Sequence, residues 1–241
     1  MNTKLSVVIP CYNEEKNLPH IMAKLSVLLR DKTHEECEVI LVDNGSTDNS
    51  AQVFVDLLKG IEENIRVVKV DKNQGYGYGI LYGLKQATGS FLAWTHADLQ
   101  TDPADVFKAL DIYLLAPKRP VLVKGYRKNR KLSEAFFSWC MGLISSVFLK
   151  ARLTEINAQP KLFHRDFYEA IVKDAPYDFS LDLYFLFKAK KQGLIIDFPV
   201  FFLPRLYGEA KGGSGSSLKT RIKLIKRTLK YIGELRGRVI G

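Results

Sequence analysis

At 241 residues, with 46% hydrophobic and 26% charged residues, the chain suits one large α/β domain, or one domain with a small appendage, and excludes a long disordered segment. Its three cysteines, Cys11, Cys37 and Cys140, are scattered with no CxxC, which excludes a disulfide framework and a cysteine zinc site and points to a reducing cytoplasm. The formal charge of +10 is concentrated at the C-terminus, where nine basic residues from Lys211 onward face one acid, Glu234.

The opening MNTKLSVVIPCYNEE has too short an apolar run for a signal peptide and meets a proline and two acids at once. LSVVI, residues 5 to 9, reads as a strand, followed by a helix over about 17 to 30. EVILV, 38 to 42, is a second strand, with a helix over about 49 to 59. IRVVKV, 65 to 70, is a third, with a helix over about 77 to 87. FLAWT, ending at Thr95, is a fourth, and a helix opens at Pro103, a residue suited to the first helical position. VLVK, 121 to 124, is a fifth. Near-continuous apolar strands alternating with helices imply a mostly parallel sheet covered on both faces.

The second half is less regular. A helix is expected over about 133 to 150, a strand over 161 to 164, a helix over about 180 to 192 and a strand over 195 to 198. The run AFFSWCMGLISSVFL, 135 to 149, is shorter than the roughly 20 apolar residues a spanning helix needs. It fits a buried core helix or a helix lying at a membrane interface, and the sequence leaves both open. KGGSGSS, 211 to 217, reads as a flexible loop, and 218 to 235 as a basic amphipathic helix.

In open α/β sheets ligands bind beyond the carboxyl ends of the strands. Four polar stretches fall there: PCYNEE (10 to 15), DNGSTD (43 to 48), NQGYGYG (73 to 79) and HADLQTD (96 to 102). Each has a plainer reading. Asp43 to Asp48 is also ordinary turn and N-cap chemistry, Glu14 and Glu15 also suit a first helical turn, and Gly75, Gly77 and Gly79 do not match GxGxxG. The last stretch is harder to dismiss. His96, Asp98 and Gln100 share strand parity, so an imidazole, a carboxylate and an amide can face one divalent ion, a mixed set that Mn²⁺ tolerates better than Mg²⁺.

SVVIPCYNEEKNL, VDNGSTDNS, NQGYGYGILYGLKQATG and HADLQTDP, in this order and spacing, resemble the family-2 inverting glycosyltransferases of GT-A fold, above all the polyprenyl-phosphate (dolichol-phosphate) sugar synthases. The likeness covers about residues 4 to 210 and is sharpest over the first 105; VKGYR, NAQPKLF and PRLYGEAK extend it more loosely. It implies a GT-A type Rossmann-like sandwich over 1 to 210, with residues 211 to 241 forming the loop and a C-terminal basic amphipathic helix. It further implies that Pro10, Tyr12, Glu14 and Asp43 cradle the nucleotide of a UDP- or GDP-sugar, with Gly75, Ala97 and Asp98 completing the donor site. Asp98 belongs to a D-x-D motif that holds Mn²⁺ or Mg²⁺ on the donor diphosphate, and Gln100 is a further metal contact. Here His96 stands where the first Asp of that motif is usual, and retained metal dependence is the expectation, because Asp98 and Gln100 persist.

The same resemblance makes Arg127, Lys161 and Arg205 acceptor-side cations. Asp98, Arg127 and Asp182 are the candidate catalytic residues. A phosphate acceptor needs no strong base; a sugar hydroxyl does, with Asp178 or Asp182 as candidates. The plainer reading of Asp182 is a solvated first-turn acid. The basic helix suits an anionic membrane surface, or packs on the domain with a solvated basic face. Many members of the family continue into transmembrane helices after this point; the expectation here is a peripheral protein at the cytoplasmic membrane face, with room for a membrane-protein partner. The alternatives are transfer to a sugar hydroxyl of a glycan or glycolipid, and a non-catalytic binding module that lost its metal through His96. The chain has no nucleic-acid recognition motif, so no such partner is expected.

Overall fold

A computed structural model describes residues 4–31, 36–59, 64–208 and 218–240. The predicted loop at 211–217 lies outside them. In chain order the elements are β1 (Leu5–Cys11), α1 (Leu18–Leu29), β2 (Cys37–Asn44), α2 (Ser50–Leu57), β3 (Ile65–Val70), α3 (Tyr76–Gln86), β4 (Phe91–Trp94), α4 (Asp105–Leu115), β5 (Leu122–Lys128), α5 (Leu132–Leu149), β6 (Lys161–His164), α6 (Arg165–Ile171), α7 (Leu181–Gln192), β7 (Ile195–Phe201) and α8 (Leu218–Ile240).

Among the described residues one seven-stranded sheet runs in the order β3-β2-β1-β4-β6-β5-β7. β1 pairs in parallel with β2 and β4, β2 with β3, and β5 with β7. β6 runs antiparallel between β4 and β5. The expected mostly parallel sheet is therefore present. Strand periodicity sorts the apolar side chains onto two faces. Val8, Ile40, Val42, Leu92 and Trp94 pack with α3, α6 and α7 on one side. Leu5, Val7, Ile9, Val39, Leu41 and Ala93 pack with α1, α2 and α4 on the other.

Two departures from the sequence reading have physical causes, and one alternative it left open is narrowed. β7 continues through Pro199 to Phe201; it is an edge strand, where the missing proline donor costs no ladder bond. α6 is seven residues long, too short to show a helical period, and is capped by the His164 side chain accepting from the Asp166 amide at 3.3 Å. The 132–149 helix is not a core helix: its buried residues are Gly142, Ser145 and Leu149. α8 packs on the domain, with Tyr231, Ile232 and Leu235 joining the core on the α7 side.

Candidate active site

The parallel strands bring the carboxyl ends of β1, β2 and β4 to one edge. Trp94, fully buried, anchors the end of β4. Its ring meets Phe163 and Phe185 edge-on, at centroid distances of 5.5 and 4.9 Å. The next residue continues the ladder, the Thr95 amide donating to the Val8 carbonyl at 3.1 Å. The side chains that follow are thus placed by core packing.

The loops after β1 and β2 are stitched together. The Thr47 amide donates to Asn13 Oδ1 at 2.8 Å, the Glu14 amide to Ser50 Oγ at 3.1 Å and the Asn49 amide to Glu15 Oε2 at 3.0 Å. Asp43 is buried and accepts from the Ser46 amide at 3.0 Å. Asp48 accepts from the Ser50 amide at 3.0 Å. Part of the DNGSTD stretch is therefore turn chemistry, the plainer of its two readings. Pro10 lies in β1 opposite Val42; β4 pairs β1 only as far as Val8, so Pro10 faces an open edge there. Gly75 has φ +124°, which disfavours any side chain, and a Cβ there would clash with the Tyr177 carbonyl oxygen.

The 96–100 turn is tightly made. Leu99 sits in the left-handed region at φ 56° with its side chain buried, and Ala97 is buried beside it. The strain of a non-glycine residue at positive φ is offset by that burial. Asp98 Oδ1 accepts from the Gln100 amide at 3.1 Å, and Oδ2 accepts from Arg205 Nη2 at 2.6 Å. Arg205 Nη1 lies 4.0 Å from Glu14. Gln100 holds the segment that carries Arg205: its side-chain amide donates to the Leu203 carbonyl at 3.2 Å, and the Leu203 amide returns to the Gln100 carbonyl at 2.8 Å. Farther along, Tyr207 stacks on His20 at 5.6 Å. Residues 202–208 thus lie across the strand ends. Asp102 is outside this group, capping Ala104 at 3.0 Å and pairing with Lys24 at 2.8 Å.

His96 Nε2 is 2.9 Å from the Tyr76 hydroxyl. Burial pushes the imidazole below its ordinary value, Lys161 and Arg205 add to this, and Asp98 and Asp182 oppose it. The neutral ring is the form that ligates metals. A polar chain leads inward from Tyr76: Gln159 Nε2 donates to the Tyr76 hydroxyl at 3.4 Å and to Asp182 Oδ1 at 3.0 Å. Asp182 also binds the Lys161 ammonium. Lys161 is fully buried, donates to the Ala158 carbonyl at 3.0 Å and lies 5.6 Å from the Trp94 ring centre. Burial lowers its pKa to about 8, against the raising effect of Asp182.

Two expectations change here. Asp182 is not a solvated first-turn acid; it is buried, because α7 is packed on all sides and Lys161 supplies its counter-charge. Lys161 is spoken for by Asp182 and does not present its charge to an incoming anion. Arg127 is at the edge, with Nε donating to Glu155 at 2.7 Å and its guanidinium 5.5 Å from the Phe202 ring centre. Arg130 donates to the same Glu155 at 3.0 Å. Arg130, Glu155, Tyr76 and Gln159 were not singled out from the sequence. Tyr76 lies in the NQGYGYG stretch and Gln159 in NAQPKLF, both already noted as stretches, whereas Arg130 and Glu155 lie in neither.

Among the described residues no three His, Cys, Asp or Glu side chains form a metal cluster. The donor set is one carboxylate, one amide and one imidazole. It suits a divalent ion that takes most of its ligands from a substrate's phosphates, as Mg²⁺ and Mn²⁺ do. Asp98 fits this best, since its Oδ2 already faces a cation.

The mostly parallel sheet thus carries at one edge an acidic strand-end turn beside a bound guanidinium. The glycosyl transferase family 2 model matches residues 6–177, and the chain belongs to that family. It is 27% identical over 173 residues to the undecaprenyl-phosphate 4-deoxy-4-formamido-L-arabinose transferase of Photorhabdus laumondii, covering 70% of this chain and 52% of the relative. The enzyme of the same description from Proteus mirabilis is 35% identical over 148 residues, 61% of this chain and 44% of the relative. The chain spans about half the length of these curated relatives. Among solved structures, glucosyl-3-phosphoglycerate synthase from Mycobacterium tuberculosis with UDP matches at TM-score 0.73 and 17% identity, over 98% of this chain and 80% of that one. A mannosyltransferase from Pyrobaculum calidifontis with GDP-Man and Mn²⁺ matches at 0.60 and 19%, over 83% and 57%. These likenesses establish the GT-A fold.

Proposed function

We propose that the chain is the catalytic domain of a divalent-cation-dependent inverting glycosyltransferase that moves a sugar from a UDP- or GDP-linked donor to a polyprenyl phosphate at the cytoplasmic membrane face. The observation that carries this reading is Asp98, fixed at the end of β4 with Oδ2 turned toward a cation, within the residues that the family model matches. The curated relatives are named for transfer involving undecaprenyl phosphate, and neighbouring folds hold UDP or GDP-Man with Mn²⁺, which supports both substrates.

In this reading Asp98, with His96 and Gln100, holds the ion, whose chemistry is to neutralise charge on the departing diphosphate without proton transfer. Glu14, Asp43, Tyr12, Pro10, Gly75 and Ala97 border the donor. Arg127 and Arg130 meet the acceptor phosphate by exchanging Glu155 for it, a charge-for-charge swap that guanidinium geometry suits. Arg205, now on Asp98, is the third acceptor-side cation. A phosphate acceptor is already anionic and needs no base. The rival acceptor, a sugar hydroxyl, needs one, and of its two candidates Asp182 is engaged by Lys161 and Gln159 and Asp178 by Arg227. That engagement favours the phosphate.

Calorimetric titration of UDP- and GDP-sugars with Mn²⁺, with Mg²⁺ and with chelator, followed by transfer to undecaprenyl phosphate in detergent, tests the proposal. Metal-dependent binding and transfer to the phosphate uphold it. Binding without transfer to any acceptor identifies a non-catalytic module, and transfer only to hydroxyl acceptors identifies the other enzyme class.

A further inference from the structure

Among the described residues α5 is the helix long and apolar enough to cross a membrane, yet one side of it is fastened to the domain. A Cβ at Gly142 would come within 2.9 Å of the Leu153 carbonyl oxygen. The Ser146 hydroxyl donates to the Gly142 carbonyl at 2.6 Å and accepts from the Leu153 amide at 2.9 Å. Arg130 reaches Ser138 at 2.9 Å. A helix held in this way cannot stand across a bilayer without leaving its domain. Its free side carries Leu132, Phe136, Trp139, Leu143 and Val147 at steps of three or four residues, each at least 49% exposed. This row extends for roughly 22 Å at the rise of an α-helix. Scattered exposed apolar residues are ordinary; a continuous row is a mark of interaction.

The surroundings of the row are cationic. Lys128 and Lys131 stand exposed before it, and Lys150 and Arg152 after it. α8 packs against α5, with Lys226, Lys230 and Arg236 exposed, while Arg227 is paired with Asp178. We propose that this face docks on an anionic lipid bilayer, with α5 lying flat, its apolar row at the headgroup–acyl boundary and the lysines and arginines at lipid phosphates. The charge selects the occupant. A second copy would set two cationic faces against each other, whereas an anionic bilayer neutralises them. The placement also serves the site: α5 starts just after the carboxyl end of β5, where Arg127 and Arg130 share Glu155. The inference rests on the acceptor reading above only for its purpose, since a polyprenyl phosphate resides in such a surface.

The chain has two tryptophans; Trp94 is fully buried and Trp139 is 61% exposed, so Trp139 reports on docking. The full chain is titrated with vesicles of equimolar phosphatidylglycerol and phosphatidylcholine, and with pure phosphatidylcholine, at physiological salt. The expected result is a blue shift and co-sedimentation with the anionic vesicles, about tenfold or more weaker with neutral ones. The Phe136→Glu/Trp139→Glu double variant, with unchanged circular dichroism, is expected to lose at least about tenfold of the sedimented fraction. Failure to bind either vesicle overturns the proposal, as does a double variant that sediments like the parent. A blue shift that grows with protein concentration alone, with dimers by light scattering, assigns the face to a second copy instead. Nucleotide-sugar calorimetry on the same samples separates the two proposals: vesicle binding without nucleotide-sugar binding ends the transferase reading and leaves the docking face, and the converse leaves the transferase without it.

Discussion

Removing one member of the Lys161–Asp182 pair should harm the fold far more than removing both. The two side chains are 0% and 3% exposed, so solvent screening does little for either. Asp182→Ala leaves the Lys161 ammonium with the Ala158 carbonyl, and Lys161→Met leaves Asp182 with the Gln159 amide. Stranding a buried charge costs about 3–5 kcal/mol, whereas replacing both partners with apolar residues of similar volume is close to neutral. For a domain of this size that corresponds to a loss of roughly 6–20 °C in Tm for each single variant. Lys161→Met/Asp182→Leu should fall within about 1 kcal/mol of the parent. Urea unfolding, followed by circular dichroism, gives the three differences. Single variants each within about 1 kcal/mol of the parent, or a double variant that loses the sum of both, would refute the buried-pair reasoning. The pair also sets a pH dependence. The folded lysine titrates near 8 and an unfolded one near 10.5. Between these values the unfolded chain binds more protons, so this group's contribution to stability rises with pH across that window and falls as pH drops through 8. The double variant should lose that rise.

Arg205→Ala removes the guanidinium from Asp98, so Mn²⁺ without nucleotide should bind severalfold more tightly by calorimetry; an unchanged affinity would mean that the two cations do not share Asp98. His96→Asp supplies a hard oxygen in place of nitrogen and should move the ratio of dissociation constants from Mn²⁺ toward Mg²⁺; a constant ratio removes His96 from the ligand set. Burial holds the Cys37 thiol up at about 12, with Glu38 adding to this, and raises Cys11 well above the ordinary range. A disulfide reagent at pH 8 should therefore find one fast thiol, Cys140, which is partly exposed, and reach the other two only on unfolding.

The first half of the fold was legible because its signals are local. Five β-branched runs with helical patterns between them specify the parallel strands, and the strand-end rule then locates Asp43 and Asp98 without coordinates. The second half depends on pairings that leave no periodic trace. Four residues, Lys161 to His164, enter the sheet between β4 and β5 in the opposite direction, and nothing in KLFH states a direction. The polarity of a side chain was likewise a poor guide to its partner. Lys161 and Asp182 read as an acceptor cation and a surface acid, yet each supplies the other's counter-charge. Arg205 read as an acceptor group, and the tie between Leu203 and Gln100, 103 residues apart, sets it on Asp98.

The strand order also governs how the chain must come together during synthesis. Residues 4–94 hold β1, β2, β3 and β4, which pair with one another locally in sequence. The outer edge of β4 then has no partner until β6 is made, and β5, at 122–128, joins the sheet only through β6 and β7. For the time taken to add some 65 residues, a growing chain displays the apolar edge FLAW with its backbone donors and acceptors unmatched, a template for pairing with another chain. A fragment ending before Lys161 would keep that edge permanently, and its solubility should collapse even though most of the strand-end turns are already present in it.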